Sequence, residues 1–304
     1  TVFLGAKTGK PNGFPVFIYH IRNAGTFFDF FININCYIYS SIFLRPMETK
    51  SRNPFLTEKA YKENQTSLYD ANGNPVHVID RNEVMTINGT INKTFILFAL
   101  LFAGAMVPFF MQAAGLNPLP GAIISAIVAL VMVLGASFAP KYSAYLAPGY
   151  ALFEGVFIST VSIIFEDRYN GIVSQAVMAT LITFGVALAL YRFRIIRVTE
   201  RFKSIIITAM FAVISYYLIA FLFSFFGGIQ PFHVGNSIAS IGFSVFLVGL
   251  AAANLLLDFN FIEEGAQRGL PKYMEWYSGM GLLVTLVWLY MEILRLLSKI
   301  QSRN

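Results

Sequence analysis

Charge is what this chain has least of. Asp, Glu, Lys and Arg make up 12% of its 304 residues, against about 25% in soluble domains. So few charges cannot cover a surface for water, which excludes an ordinary soluble globular domain. Cysteine is nearly absent: Cys36 stands alone, so no internal disulfide forms and no redox compartment follows. Period-2 alternation of polar and apolar residues is missing, which removes a sandwich or a barrel. A Gly-rich phosphate loop and Cys/His metal spacing are missing too.

What is present is grease. Hydrophobic residues are 56% of the chain, and the mean hydropathy is +0.63. Seven apolar runs lie at 94–113, 118–139, 145–165, 171–191, 204–226, 237–262 and 274–298. Each is long enough to cross ~30 Å of hydrocarbon as a helix. Backbone polar groups in lipid must be satisfied within the segment, so the runs read as helices. The expected fold is an all-α membrane protein, a seven-transmembrane-helix bundle. "GLNPLPG" (115–121) is a tight uncharged turn, and Pro140 and Pro148 bracket the second connection. Small residues in "FAGAMVP" (102–108) and at Gly249, Ala252 and Ala253 suit close helix packing.

The first 46 residues have neither helical periodicity nor the order of a signal peptide. Met47 opens the polar stretch "METKSRNPFLTEKAY". The expectation is a non-native leader at 1–46, with translation starting at Met47. A cytosolic N-terminal tail follows at 47–93, with turn signals in "DANGNP" (70–75), and the transmembrane domain covers 94–300.

Basic residues orient the spans. One end gathers Arg81, Lys93, Lys141, Arg192, Arg194, Arg197, Arg201, Lys203, Arg268 and Lys272. The other holds Arg168, Arg295, Lys299 and Arg303. The connection "RFRIIRVTERFK" (192–203) is the strongest single signal. The N-terminus is therefore expected in the cytoplasm and the C-terminus outside. The net charge of +6 flanks apolar runs, which fits a membrane and no nucleic-acid partner.

Few ionisable groups lie within the runs. Residues 237–257 carry no charge, and Asp258 follows them in "LLLDFNFIEEG". Glu154 sits in "PGYALFEGVFIST", about nine residues into the third run and hence ~14 Å deep. Glu292 lies far along the last run, where Arg295 at i+3 and Lys299 beyond it suggest a wet helix end. Glu263, Glu264, Glu275 and Arg268 read as solvated loop and cap charges. Charges at mid-bilayer are costly and usually face a bundle interior or a water cavity. A buried acid pair shares a proton at intermediate pH and releases it at higher pH. Two deprotonated carboxylates attract a hard cation such as Ca²⁺, which prefers oxygen ligands. The expectation is a pH-sensitive cation path built on Asp258 and Glu154, with no resident metal or cofactor and only transient Ca²⁺.

Catalysis lacks its parts. An intramembrane aspartyl protease needs two membrane aspartates, and only Asp258 qualifies. A serine protease needs a histidine beside its nucleophile. "GFSVF" (242–246) offers Ser244, yet His233 falls in an outer loop and His20 and His77 are N-terminal. The reading is not an enzyme.

The stretch "NLLLDFNFIEEGAQRGLPKYMEWYSGMGLLVTLVWLYMEILRLLSKI" resembles the Bax inhibitor/YccA family, in particular its bacterial branch. "YALFEGVFIS", "YRFRIIRVTERF" and "SRNPFLTEKAY" are similar to further landmarks of that branch, and the resemblance spans 47–304. It implies a seven-helix bundle with the last helix at its centre, in the bacterial inner membrane. It also implies one of two roles, a pH-sensitive calcium leak or a non-catalytic regulator of a membrane-bound protease. The family's proton sensor is a pair of aspartates. "LLLDFNFI" carries the first onto Asp258. Aligning the last helix on its "LLR" ending carries the second onto Thr285, which cannot ionise. Glu292, two turns further on, and Glu154 are the acids left to replace it. The arginine that latches the pair in calcium-leak members has no counterpart in spans one to three.

Overall fold

The computed structural model describes residues 67–69, 75–77, 84–225, 232–233 and 235–303. The expected leader, Met47 and most of the expected tail lie outside them. Within the tail, strands β1 (Ser67–Tyr69) and β2 (Pro75–His77) pair antiparallel with Leu68 opposite Val76. They flank the turn signal read at 70–75.

Seven long helices follow: α1 (Ile87–Ala113), α2 (Leu119–Phe138), α3 (Ser143–Arg168), α4 (Ile172–Arg192), α5 (Glu200–Phe225), α6 (Ile238–Gln267) and α7 (Met274–Gln301). All are long and apolar enough to cross a membrane, so the protein is a seven-helix integral membrane bundle. At 1.5 Å per residue the 20 residues of α2 span about 30 Å. The 30 residues of α6 and 28 of α7 reach beyond that, so their ends project from the hydrocarbon or the helices tilt.

Several boundaries differ from the sequence reading, among them the end of α6, at Gln267 rather than 262. α1 begins at Ile87, seven residues ahead of the apolar run. The Thr86 side chain caps it by accepting from the Gly89 amide, and a tertiary contact described below holds its polar first turn. Pro148 lies inside α3 rather than bracketing a connection. The basic connection shrinks because α5 starts at Glu200.

α7 is the axis of the bundle. Some 83% of its apolar stretch is buried, against 22–33% for α1, α2, α4 and α5. It packs against α1, α3, α4 and α6, while α2 rests on α3 and α5 packs chiefly on α6. The outer helices show Phe95, Phe102, Phe110, Ile124 and Phe138 to the surroundings, as a lipid-facing ring requires.

α1 and α3 cross backbone to backbone. A Cβ on Gly104 would lie 2.1 Å from the Leu152 carbonyl oxygen, and one on Gly155 would lie 2.1 Å from that of Leu101. Only glycine fits such an approach. The Ser159 hydroxyl donates to the Ala105 carbonyl at 2.7 Å and pins the same crossing. Close packing expected in "FAGAMVP" is therefore real at Gly104. At Gly249 a Cβ would meet nothing within 4 Å, so no such approach occurs there.

Candidate functional site

Burial of α7 decides where the polar groups must be explained. From Tyr277 to Leu294 every residue is buried, and the polar side chains Glu275, Thr285 and Glu292 punctuate the helix. Their spacing corresponds to rises of about 15 Å and about 10 Å. Three different levels of the bundle are thus in play.

Near the middle, α6 runs antiparallel to α7. The Asn254 amide donates to the Thr285 hydroxyl at 3.0 Å. That hydroxyl is in turn the side-chain partner of the Asp258 carboxyl. Asn254, Thr285 and Asp258 therefore form one chain of polar groups within the apolar seam. Asp258 is 2% exposed, and its Oδ2 has no partner among the described residues. The position to which the resemblance carried a second aspartate is thus the one whose hydroxyl meets Asp258.

On the opposite flank, α3 runs parallel to α7. The Ser143 hydroxyl donates to the Tyr273 carbonyl at 2.9 Å, and Ser162 and Tyr290 share a hydroxyl contact of 2.7 Å. Glu154 lies midway between those pins, close to the level of Leu283 and so of Thr285. It is 3% exposed, and its Oε2 has no partner among the described residues. No hydrogen bond joins Glu154 to Asp258 or Thr285 there. The depth is shared, the contact is not.

Toward the C-terminal end, Glu292 accepts from Arg295 Nη1 at 2.8 Å and from Trp288 Nε1 at 3.1 Å. The pairing with Arg295 matches the i+3 reading. The wet helix end does not, because Glu292 is fully buried. α6 covers this end as well, with Lys299 donating to the Ser244 hydroxyl at 2.7 Å.

At the other end the sequence reading missed a site. Glu275, expected as a solvated cap charge, is buried. One oxygen accepts from the Thr86 amide and from the Thr86 hydroxyl, each at 2.9 Å. The other accepts from Lys93, while Lys272 closes to 3.4 Å from the first. Gly89 makes room, since a Cβ there would sit 2.2 Å from Glu275 Oε1. Beside it the Met85 amide donates to the Leu270 carbonyl at 2.6 Å, and Val84 bridges Pro271. The start of α1 is thereby clasped to the start of α7. The available signal was Lys93, a cation on an apolar helix with no acid one turn away on its own helix.

Glu263 and Glu264 are half-buried ties rather than free charges. Tyr191 donates to Glu263. Glu264 accepts from Asn260 at 2.7 Å and from Lys203 and Arg268 at 3.1 Å each. They bind the end of α6 to α4 and α5.

No curated protein and no solved structure matches the chain. The family model described as Bax inhibitor 1 like matches residues 50–302, which is most of the chain and all seven helices, and the protein belongs to that family.

Proposed function

We propose that the protein is a proton-sensitive cation leak of the bacterial inner membrane, with Ca²⁺ as its cargo and its N-terminus in the cytosol. Asp258 is the group whose charge sets the leak. Thr285 orients it, and Glu154 is a second acid at the same depth across α7. The observation that carries this reading is the burial of Asp258 against the central helix with one carboxyl oxygen that has no partner among the described residues. A purely structural carboxylate in so dry a place would have its acceptors filled. Protonated, Asp258 is neutral and offers a cation nothing. Deprotonated, it supplies hard oxygen ligands on the bundle axis. Flux should therefore rise with pH.

The test is Ca²⁺ entry into liposomes that contain the full chain, from about pH 6 to about pH 8. Wild type is expected to leak more at the alkaline end, and Asp258→Asn to lose the slope. Absence of flux at every pH sinks the leak. Regulation of a membrane-bound protease, the other role the resemblance implies, would then be the reading to pursue.

A further inference from the structure

Basic residues at the expected cytosolic end fall into two groups. Lys93 and Lys272 are spent on Glu275, Lys203 on Glu200 and Glu264, and Arg268 on Glu264. By contrast Arg192, Arg194, Arg197 and Arg201 are exposed and have no acid partner among the described residues. They crowd into the turn between α4 and α5. The one acid beside that turn, Glu200 at the start of α5, is held by Lys203 at 3.0 Å.

Arg194 adds an independent sign. Its φ is +54°, the one positive φ outside glycine among the described residues. α4 ends there in a Schellman arrangement: the Ile195 amide donates to the Leu190 carbonyl and the Arg194 amide to that of Tyr191, each at 3.0 Å. Glycine usually occupies that left-handed position, because a Cβ is strained in it. An arginine is held where the backbone favours none, which points to a use for the side chain.

The neighbours say what the use is. Phe193 is 75% exposed and Ile195 68% exposed, alternating with the arginines. A cytosolic protein partner would find that apolar pair beside two lipid-facing helices. A membrane interface takes both at once, rings among the acyl chains and guanidiniums at the headgroups. A guanidinium also matches a phosphodiester in charge and in fork geometry.

We infer that the α4–α5 turn is a binding site for anionic phospholipid, in which the phosphodiester headgroup is held by Arg192, Arg194 and Arg197 with Arg201 at its edge. This site is separate from Asp258 and stands or falls apart from the leak. It makes the lipid around α4 and α5 selective rather than generic.

The test compares binding of phosphatidylglycerol and phosphatidylcholine to the full chain in detergent, by native mass spectrometry and by thermal shift. Wild type should prefer phosphatidylglycerol by roughly tenfold. The triple variant Arg192→Gln, Arg194→Gln, Arg197→Gln should bring that ratio close to one, while Lys141→Gln, another exposed cation at this end, keeps it. Arg194→Gly separates strain from recognition: it should raise the Tm in neutral detergent and lower the preference. Equal binding of the two lipids by wild type overturns the inference. So does an unchanged preference in the triple variant, or displacement of the lipid by soluble polyglutamate, which would mark the turn as a site for an acidic protein.

Discussion

Glu275 and Glu154 are glutamates with almost no exposed surface on neighbouring helices, and they are held in opposite ways. Glu275 receives an amide, a hydroxyl and an ammonium, with a second ammonium close by. Glu154 is as dry, yet one of its oxygens has no partner among the described residues. A buried carboxylate costs several kcal/mol unless donors offset its lost hydration. At Glu275 they do, so the charge fastens α1 to α7. At Glu154, as at Asp258, the offset is incomplete, and a proton or a cation is the chemistry that would complete it. On the proposed reading, the satisfied carboxylate is a fastening and the incompletely satisfied ones are kept for use.

Substitutions can break or sharpen that contrast. The largest effect belongs to Glu275→Ala, which strands Lys93 and removes three donors' partner. A loss of about 3 kcal/mol is expected in unfolding from detergent micelles. A cost below that of Glu154→Gln would erase the distinction. Next comes Gly155→Ala, whose methyl meets the Leu101 carbonyl at 2.1 Å. It should destabilise by about 2 kcal/mol by prising α1 from α3, seen as a lower Tm. Thr285→Val removes the hydroxyl between Asn254 and Asp258 and should cost about 1 kcal/mol. Its sharper signature is a displaced pH profile of the proposed leak, which a mere packing role would leave in place. Smallest is Glu154→Gln, expected to change stability by less than about 1 kcal/mol because no donor loses its acceptor. If it destabilises as much as Glu275→Ala, Glu154 has a structural partner and the contrast fails.

The seven spans were legible because twenty apolar residues in a row admit one structure in lipid, and their number and order stand. The centrality of α7 was legible only through the resemblance, since α7 carries four charged residues against one in α1, the reverse of what a buried axis suggests. Asp258 was legible as the acid that ends an uncharged run, Thr285 only through the resemblance, and the structure brings their side chains together. Glu275 was not legible. Its partners Thr86 and Lys93 are 189 and 182 residues away, and helical spacing reports only on neighbours one turn off. Glu292 was read half correctly for the same reason. Its local partner Arg295 is visible at i+3, whereas the packing that dries the site comes from another helix. Depth along a helix can be counted from sequence. Which face meets which neighbour cannot.

The most direct measurement sets the two kinds of carboxylate side by side. Ca²⁺ flux into liposomes is recorded across about pH 6 to about pH 8 for wild type, Asp258→Asn and Glu275→Gln, scaled to folded protein. The expected result is a flat profile for Asp258→Asn and a retained slope, at reduced yield, for Glu275→Gln. A retained slope in Asp258→Asn would contradict the assignment of the sensor.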